Sequence, residues 1–460
     1  MEIGLAIKAT ALAAVFGTAA LSAAGLKSFE KDKVLAYWNQ PSRYQVGLPD
    51  TSKSGPWQVR LTCDGSLWLW CYNNKRGLGK SFSTPIARND EERSWEDWID
   101  AKVAYDRWMA AVNANVSNIQ LGFPSADPGP EPLLPGPMPS GLRNLVGDAP
   151  NFALAVQPKQ HVITFHDGLK LSYQDNTNMQ PRYAYYRSAE GVRNGGTQVK
   201  KLSPEEIDGL FSAAGLTGEA QHVMKAVSLL EGGFDSVNTY DTGFVSVGFI
   251  QFACLAKGNG SLGSVLLREK QANGANFDSD FRQFGIDVKD DGTLVALGLN
   301  DGQEYEGPQA AAQIIQDKRL IAVFQRAGIQ SKAFRIAQIQ IAKEQYYPAD
   351  ETFTVTLDGH PVTAKVSDVM RSEAGMATIM DRKVNTGKIG PLASAAQQVA
   401  SANGLKTLDE LANYERDIIA MVKFRKDYTS DESLSQPVGR ARSQSVTSRS
   451  GSRTGRKHKP

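Results

Sequence analysis

The chain has 460 residues, of which 41% are apolar and 22% charged, and a formal net charge of +2. This length suggests two or three domains, and the composition excludes a fibrous or wholly disordered protein. Three cysteines are too few for a framework of disulfide bridges. We expect Cys254 to be a packed apolar thiol.

The N-terminus has the composition of an export signal. Residues 9–26 contain no charged side chain, lie between Lys8 and Lys27, and include the small residues Ser22-Ala23-Ala24. We therefore predict a signal peptide over 1–27 and an exported protein, periplasmic, secreted or associated with the cell wall. An N-terminal membrane anchor is the alternative.

The C-terminus is basic and polar. Residues 440–460 carry seven basic side chains and no acid, so the rest of the chain sums to 2 − 7 = −5. Such a segment cannot bury enough apolar surface to fold, and we predict a disordered tail over 429–460. Its basic side chains are expected to contact polyanions. Because it has no aromatic residues for stacking on bases, specific nucleic-acid recognition is not expected.

Residues 28–122 are predicted to form a small Trp-rich domain made of a hairpin and a helix. The stretch QVRLTCDGSLWLWCY indicates a hairpin that turns at Asp64-Gly65. In that hairpin Trp68 and Trp70 share one face. They either pack on the following helix, which we favour, or stack on sugar rings.

The helix of this domain is predicted from its apolar spacing. Ser94 and Asp97 offer a capping box at its start. Apolar side chains then recur every three or four residues: Trp95, Trp98, Ile99, Val103, Trp108 and Val112.

A Pro-rich linker and a second hairpin follow. Residues 123–150 include PSADPGPEPLLPGPMPSG, which should be extended and semi-rigid. Within 151–200, HVITFHDGLKLSY predicts a hairpin around Asp167-Gly168. His161 and His166 fall on opposite faces of the strand, and no third ligand is near in sequence, so we expect no metal.

Residues 201–428 predict a mainly helical α+β domain. Ser203 with Pro204 and Glu206 is a helix-start signal. Hairpins are expected at Asp291-Gly292 and Asp358-Gly359. Further helices are predicted at 219–231, 308–327, 331–346, 366–383, 390–402 and 407–424.

A candidate site lies in LEGGFDSVNTYDTGFVSVGFIQF, residues 230–252. Glu231 closes a predicted helix, where the negative end of the helix dipole and apolar neighbours disfavour its charged form. Asp241 follows a glycine-rich turn and opens an alternating strand among hydroxyls and amides, where it should stay ionised. Carboxyls with such different environments are the apparatus of glycoside hydrolysis. Asp235 is a weaker candidate for the second acid.

This stretch resembles the lysozyme-like superfamily of phage-type lysozymes, chitosanases and lytic transglycosylases. Tyr240-Asp241-Thr242-Gly243-Phe244 is similar to the Asp-Thr-x-Gly-aromatic segment of phage lysozymes, and Gly248-Phe249-Ile250-Gln251 to the Gly-x-Met-Gln segment of transglycosylases. Asp241, Gly248, Ile250 and Phe252 match a chitosanase pattern. Phe334 to Gln338 and Ala374 to Gly387 are similar to chitosanase helices. The resemblance covers about 203–428.

The resemblance implies roles for individual residues. Glu231 matches the catalytic acid, Asp241 the second carboxylate, and Ser246 the position of a water-orienting Thr. Gln251 matches a cleft-lining Gln, and we place Asn238, Tyr240 and Thr242 with it as substrate-binding candidates. Gly232 replaces the Ser that follows the acid in transglycosylases, which argues against that chemistry. No cofactor or metal is implied.

Two polymers remain open as substrates. The Glu-to-Asp spacing, the export signal and the basic tail favour peptidoglycan. A net charge of −6 over 278–306 favours polycationic chitosan if that segment lines the cleft; its charged residues are Asp278, Asp280, Asp287, Asp290, Asp291, Asp301, Glu304, Glu306, Arg282 and Lys289. We predict a muramidase-like hydrolase of the β-1,4 amino-sugar backbone. A chitosanase-like hydrolase and a catalytically inactive wall-binding or assembly protein are the alternatives.

Overall fold

The computed structural model describes residues 25–49, 55–78, 84–124, 127–176, 182–184, 188–216 and 218–438. It is a mixed structure of about 49% helix and 14% strand, which is compatible with the predicted α+β class. Across these residues no helix combines the length and apolar character needed to span a bilayer. The predicted signal peptide, apart from 25–27, and the basic segment after residue 438 lie outside the described residues. The disordered tail predicted over 429–460 is wrong for 429–438, because Leu434 is buried in the larger hydrophobic core and the Ser435 amide donates to Glu373 at 2.7 Å.

Helices and strands alternate irregularly along the chain. The helices are α1 (Ser28–Trp38), α2 (Cys63–Lys75), α3 (Asp90–Gln120), α4 (Ser140–Val146), α5 (Pro204–Ala213), α6 (Gly218–Ser228), α7 (Ser261–Ala272), α8 (Gly274–Asp280), α9 (Gly307–Gln316), α10 (Lys318–Gln330), α11 (Lys332–Tyr346), α12 (Val366–Val369), α13 (Glu373–Thr386), α14 (Leu392–Asn403), α15 (Leu408–Ala412) and α16 (Glu415–Val422). The strands are β1 (Tyr44–Gly47), β2 (Gln58–Leu61), β3 (Ala153–Val156), β4 (Gln160–Thr164), β5 (Lys170–Gln174), β6 (Arg193–Asn194), β7 (Val237–Asn238), β8 (Ser246–Val247), β9 (Phe252–Ala253), β10 (Ile286–Val288), β11 (Leu294–Leu297), β12 (Glu304–Glu306), β13 (Thr352–Leu357) and β14 (His360–Lys365).

The strands form small antiparallel sheets. Their orders are β1-β4-β5, β2-β3, β6-β7-β8-β9, β10-β11-β12 and β13-β14. The β4–β5, β10–β11 and β13–β14 pairs turn at the three predicted Asp-Gly sites, so those hairpin predictions are confirmed. Three of these five sheets therefore have a turn that the sequence specifies locally.

The described residues bury two separate hydrophobic cores. The larger core spans the helical region and also takes in α1, whose Trp38 packs against Phe165 and Phe284. The smaller core joins α2, α3 and α4 around Trp68, and Phe152 completes it. Because α1 belongs to the larger core, the residues of the domain predicted over 28–122 are divided between the two cores.

The hairpin predicted at Asp64-Gly65 is wrong, because these residues form the first turn of α2. Thr62 precedes the helix, and its hydroxyl accepts a hydrogen bond from the Gly65 amide at 2.9 Å. Trp68 and Tyr72 lie four residues apart and are both buried. A helix places them on one face, which a strand would also do. A helix separates Trp68 from Trp70, however, so the shared face predicted for these two tryptophans is wrong as well.

The predicted Trp-rich helix is present, but it begins earlier than expected. Asn89 caps α3 by accepting the Glu92 amide at 2.8 Å, so Ser94 lies inside the helix and does not cap it. The Pro-rich segment after α3 has neither helix nor strand over 127–139, but α4 occupies Ser140–Val146 within the linker predicted over 123–150. The Pro-rich segment packs back along α3, and the indole N–H of Trp98 donates to the carbonyl of Gly136 at 2.8 Å.

Several predicted helices are shorter or broken. Ser203 caps α5 as predicted and accepts the Glu206 amide at 3.1 Å. The helix predicted over 308–327 divides at Asp317, whose carboxylate accepts the Arg319 amide at 3.0 Å and starts α10. The predictions over 366–383 and 407–424 likewise each become two helices, α12 with α13 and α15 with α16.

The single alternating strand predicted after Asp241 is wrong. Two strands of two residues each, β8 and β9, are separated by a turn over 248–251. Gly248 and Gln251 adopt positive φ angles of 85° and 58° in that turn. The apolar side chains of this segment are buried on a tightly folded ribbon, so alternation arises here without a continuous strand.

Candidate functional site

Glu231 lies one turn beyond α6, which ends at Ser228 and not at the predicted residue 231. Its amide donates to the Ser228 carbonyl at 3.0 Å, so the chain still follows the helix as it leaves. The side chain is 11% exposed. Burial raises the pKa of the Glu231 carboxyl, and an ion pair with Arg425 acts in the opposite direction.

Arg425 joins Glu231 to a second carboxylate, Asp381 of α13. Its guanidinium contacts both carboxylates, with Nε donating to the Asp381 Oδ1 at 2.7 Å. The backbone amide of Arg425 also donates to the Asp381 Oδ2, at 3.2 Å. The Asp381 side chain is 1% exposed. Two carboxylates therefore share one guanidinium, and the negative charge of Asp381 adds to the effect of burial in raising the pKa of Glu231.

Tyr428 closes this cluster. Its ring is buried, and burial raises the pKa of its hydroxyl, with Asp381, Arg425 and Glu231 the first three charges acting on it. The Tyr428 hydroxyl has no hydrogen-bond partner among the described residues. The cluster beyond the end of α6 therefore combines the carboxyl oxygens of Glu231 and Asp381 with the neutral hydroxyl of Tyr428.

Asp241 lies in the turn between β7 and β8, on the small sheet that follows Glu231. The Asn238 side-chain amide donates to its Oδ2 at 2.6 Å, and the Gly243 backbone amide donates to its Oδ1 at 2.9 Å. The Asn238 Oδ1 in turn accepts the Tyr240 amide at 3.1 Å. Asn238 is buried, and these contacts make it a residue that orients Asp241.

Ser246 lies beside Asp241. It is buried in β8, opposite Asn238 on one side and Ala253 on the other. A methyl group on Gly243 would overlap the Ser246 hydroxyl and lie 3.2 Å from the Asp241 Oδ1. The carboxylate and the hydroxyl thus flank the same glycine, as the proposed pairing of these residues requires, and Thr242 lies in the same turn.

The remaining predicted site residues, Tyr240 and Gln251, lie at different ends of the sheet. Tyr240 is buried near Tyr183, with ring centroids 6.3 Å apart. The Gln251 side-chain amide donates to the Ser236 hydroxyl at 2.7 Å and to the Gly248 carbonyl at 3.1 Å. Gln251 therefore fixes the turn at the Glu231 end of the sheet, and Tyr240 lies at the Asp241 end.

The sheet places Glu231 and Asp241 at opposite ends of one short ladder. The Gly232 amide donates to the Phe249 carbonyl at one end, and Asn238 pairs with Ser246 at the other. The charged groups that shift the pKa of Glu231 are Arg425 and Asp381, and Asp241 is not among them. The predicted partner Asp241 therefore lies at the other end of the ladder, and the immediate electrostatic partners of Glu231 are Arg425 and Asp381, which the sequence did not identify.

No protein-family model, curated protein or solved structure matches the chain. The lysozyme-like resemblance consequently rests on the motifs of 230–252 and on the order of the helices.

Asp235, the other candidate acid, has a backbone role. It is buried, and its Oδ1 accepts the Thr197 amide at 2.8 Å. It borders a cavity of about 70 Å³ with Phe234 and Arg335.

The acids of 278–306 serve the structure in several pairs and turns. Asp287 is buried between Lys270, at 2.7 Å, and Arg282. Glu304 accepts the Leu26 amide at 2.8 Å, and Asp291 accepts the Thr293 amide at 2.9 Å. Because two cations neutralise Asp287, this residue does not contribute to the charge argument for a chitosan cleft.

The largest of the described cavities lies away from Glu231. It has a volume of about 530 Å³ and is lined by Arg268, Lys343 and Tyr347 among others. The Tyr347 hydroxyl donates to Glu219 at 3.3 Å, at the start of α6, whereas Glu231 follows the end of that helix. The cavity and the candidate site therefore lie near opposite ends of α6.

Proposed function

We propose that the chain is an exported glycoside hydrolase that cleaves the β-1,4 amino-sugar backbone of peptidoglycan. The observation that carries the proposal is the nearly buried carboxyl of Glu231 after the end of α6, with a pKa raised by burial, beside a small sheet that presents Asp241. A general acid at neutral pH needs a carboxyl of this kind.

In this proposal Glu231 gives its proton to the glycosidic oxygen as the C–O bond breaks. Asp241, held by Asn238 and the Gly243 amide, accepts a proton from the water that attacks the anomeric carbon, and Ser246 orients that water. The stereochemistry of the products tests this assignment of Asp241, because a base that activates water gives inversion and requires roughly 6.5–9.5 Å between the carboxyls, whereas a nucleophile at about 5 Å gives retention.

Replacement of the proposed acid tests the function. The Glu231→Gln variant should lose at least about 100-fold in the release of soluble sugars from purified peptidoglycan, as expected for removal of a general acid. Glu219→Gln on the same helix is the matched control, because Glu219 bonds Tyr347 at the far end of α6, and it should keep the activity. Full activity of Glu231→Gln would refute the assignment.

The identity of the sugars decides the substrate and the reaction. Mass analysis of products from peptidoglycan and from chitosan distinguishes the two polymers, and a product 18 Da lighter than the hydrolysis product marks transglycosylation. An increase in soluble sugar from chitosan alone would establish the chitosanase-like alternative.

One observation favours a second candidate, an inactive wall-binding protein. The Glu231 carboxylate is engaged by Arg425, and an acid held permanently in an ion pair cannot donate a proton. Binding of the chain to insoluble peptidoglycan without release of sugars, unchanged by Glu231→Gln, would support this candidate and contradict the hydrolase.

A further inference from the structure

The Pro-rich segment over 127–139, called the strap here, is attached to α3 at two points. The Trp108 indole donates to the Gly129 carbonyl at 3.1 Å, and the Trp98 indole donates to the Gly136 carbonyl at 2.8 Å. The strap thus runs antiparallel to the helix. Its Met138 packs on the smaller core, which anchors the end of the strap.

The strap is stiff because of its sequence. Six of its residues are proline, and each restricts its own φ angle and the conformation of the residue before it. Leu133 is the single residue over 127–139 that neither is nor precedes a proline. Little chain entropy is therefore left to lose when the strap binds a partner.

The middle of the strap presents two apolar side chains to solvent. Trp98 and Trp108, ten residues apart on α3, hold the strap at Gly136 and Gly129. Leu133 and Leu134 lie between these two anchors and are 91% and 71% exposed.

A concave surface lies on the same helix as the strap. It is a groove of about 490 Å³ between α3 and β3, and its walls combine apolar side chains such as Trp57, Met109 and Leu154 with polar ones that include Asp106 and Asn113. Met109 directly follows the tryptophan that anchors the strap. Exposed large apolar side chains are concentrated in this region of the described chain: Met109, Val116, Ile119, Leu121, Leu133, Leu134 and Leu154. A concentration of this kind marks an interaction surface.

We propose that this face pairs with a second copy of the chain about a two-fold axis, with the strap leucines of each copy seated in the groove of the other. The exposed leucines of the strap and the groove both belong to α3 and its neighbours, and a self-complementary interface requires one protruding and one concave element on each copy. The 31 residues of α3 form a strip about 46 Å long and about 10 Å wide on each copy. Two such strips approach the roughly 1,000 Å² that a specific interface needs.

The charges set the direction of the pairing. The acids of α3 all lie over 90–106, and the half of the helix over 107–120 carries only Arg107. The strap carries Asp127 and Glu131 and no base. An antiparallel pairing therefore places each acidic strap over the acid-free half of the other helix, where repulsion between like charges is avoided.

Light scattering after gel filtration tests the proposal on the full chain. At about 100 µM under reducing conditions the mass should approach twice the 49.9 kDa of one chain, and it should fall on dilution to about 5 µM if the affinity is micromolar. The Leu133→Asp/Leu134→Asp variant and, separately, Met109→Asp should each weaken the dimer at least about tenfold. Leu255→Asp is the control, since Leu255 is an exposed residue outside this face.

A mixture of variants tests the reciprocity. The double strap variant mixed with Met109→Asp should form more dimer than either alone, because one strap and one groove of the mixed pair are intact. A wild-type chain that is monomeric at about 100 µM, or a dimer insensitive to the strap variant, would overturn the proposal. Monomeric protein that binds phosphatidylglycerol vesicles through Leu133 and Leu134 would overturn it in favour of a membrane.

Discussion

The shared guanidinium of Arg425 makes a quantitative prediction for stability. Replacing it with glutamine leaves Asp381, 1% exposed, and Glu231, 11% exposed, without their cation. Loss of one partner of a fully buried ion pair costs about 3–5 kcal/mol, because the remaining charge is uncompensated. Arg425 itself is 29% exposed, so we reduce this to about 2–3 kcal/mol for Arg425→Gln.

The partner substitution distinguishes this cause from simple loss of packing. In Asp381→Asn/Arg425→Gln the buried carboxylate is neutral and needs no cation, so the double variant should be more stable than the sum of the single variants predicts. Arg371→Gln is the control, because Arg371 pairs with Asp409 at the surface, with side chains 50% and 85% exposed, and it should change stability by less than about 1 kcal/mol.

Far-UV circular dichroism during urea unfolding is the suitable assay. Tryptophan fluorescence is weighted towards the smaller core, which holds Trp68 with Trp70, Trp95 and Trp98 packed on it, whereas α6 and α13 share the larger core with Trp38. Additive effects of Asp381→Asn and Arg425→Gln would refute the view that the two residues act through one shared charge.

Two further outcomes follow from buried groups elsewhere. Burial beside Asp280 raises the pKa of Glu269 to about 9. Because the folded state keeps this carboxyl neutral, it loses stability as the pH rises from about 4.5 toward 9, and at pH 7 the loss is about 3 kcal/mol. Glu269→Gln should therefore raise the melting temperature at pH 7 and change it little at pH 4. A methyl group on Gly328 would overlap the Asp235 Cα and the Phe234 carbonyl, whereas one on Gly209 of α5 meets no atom within 4 Å. Calorimetry should therefore show that Gly328→Ala lowers the free energy of unfolding by about 1–3 kcal/mol and that Gly209→Ala raises it by up to about 1 kcal/mol. Equal effects of the two substitutions would contradict the contact at Gly328.

Local signals in the sequence predicted local structure well. The hairpins at Asp167-Gly168 and Asp291-Gly292 and the start of α5 at Ser203 depend on side chains within a few residues of one another. The predictions failed where a helix and a strand would both place the same residues on one face. Trp68 and Tyr72 share a face in a helix or a strand, and the hydrogen bond from the Gly65 amide to Thr62 decides for the helix.

The candidate site was predictable only for those of its residues that lie close together in the sequence. Glu231, Asp241 and Asn238 lie within one segment, and its turns bring Asp241 and Asn238 together. Arg425 follows Glu231 by 194 residues and Asp381 by 44. No spacing or motif connects such distant positions in a single sequence, because their contact depends on how α13 and the C-terminal segment pack against α6.

The charge balance of the cluster fits the role of general acid that we propose for Glu231. With both carboxylates ionised, the cluster of Glu231, Asp381 and Arg425 has a net charge of −1, whereas protonation of one carboxyl makes it neutral, which a buried site favours. Arg425 donates to Asp381 through its side chain and its backbone amide, and the Asn385 side-chain amide adds a further contact at 3.3 Å. Glu231 has the Arg425 guanidinium as its ion-pair partner. Because Asp381 keeps the arginine when Glu231 becomes neutral, we infer that Asp381 allows Glu231 to act as an acid without leaving a cation unpaired.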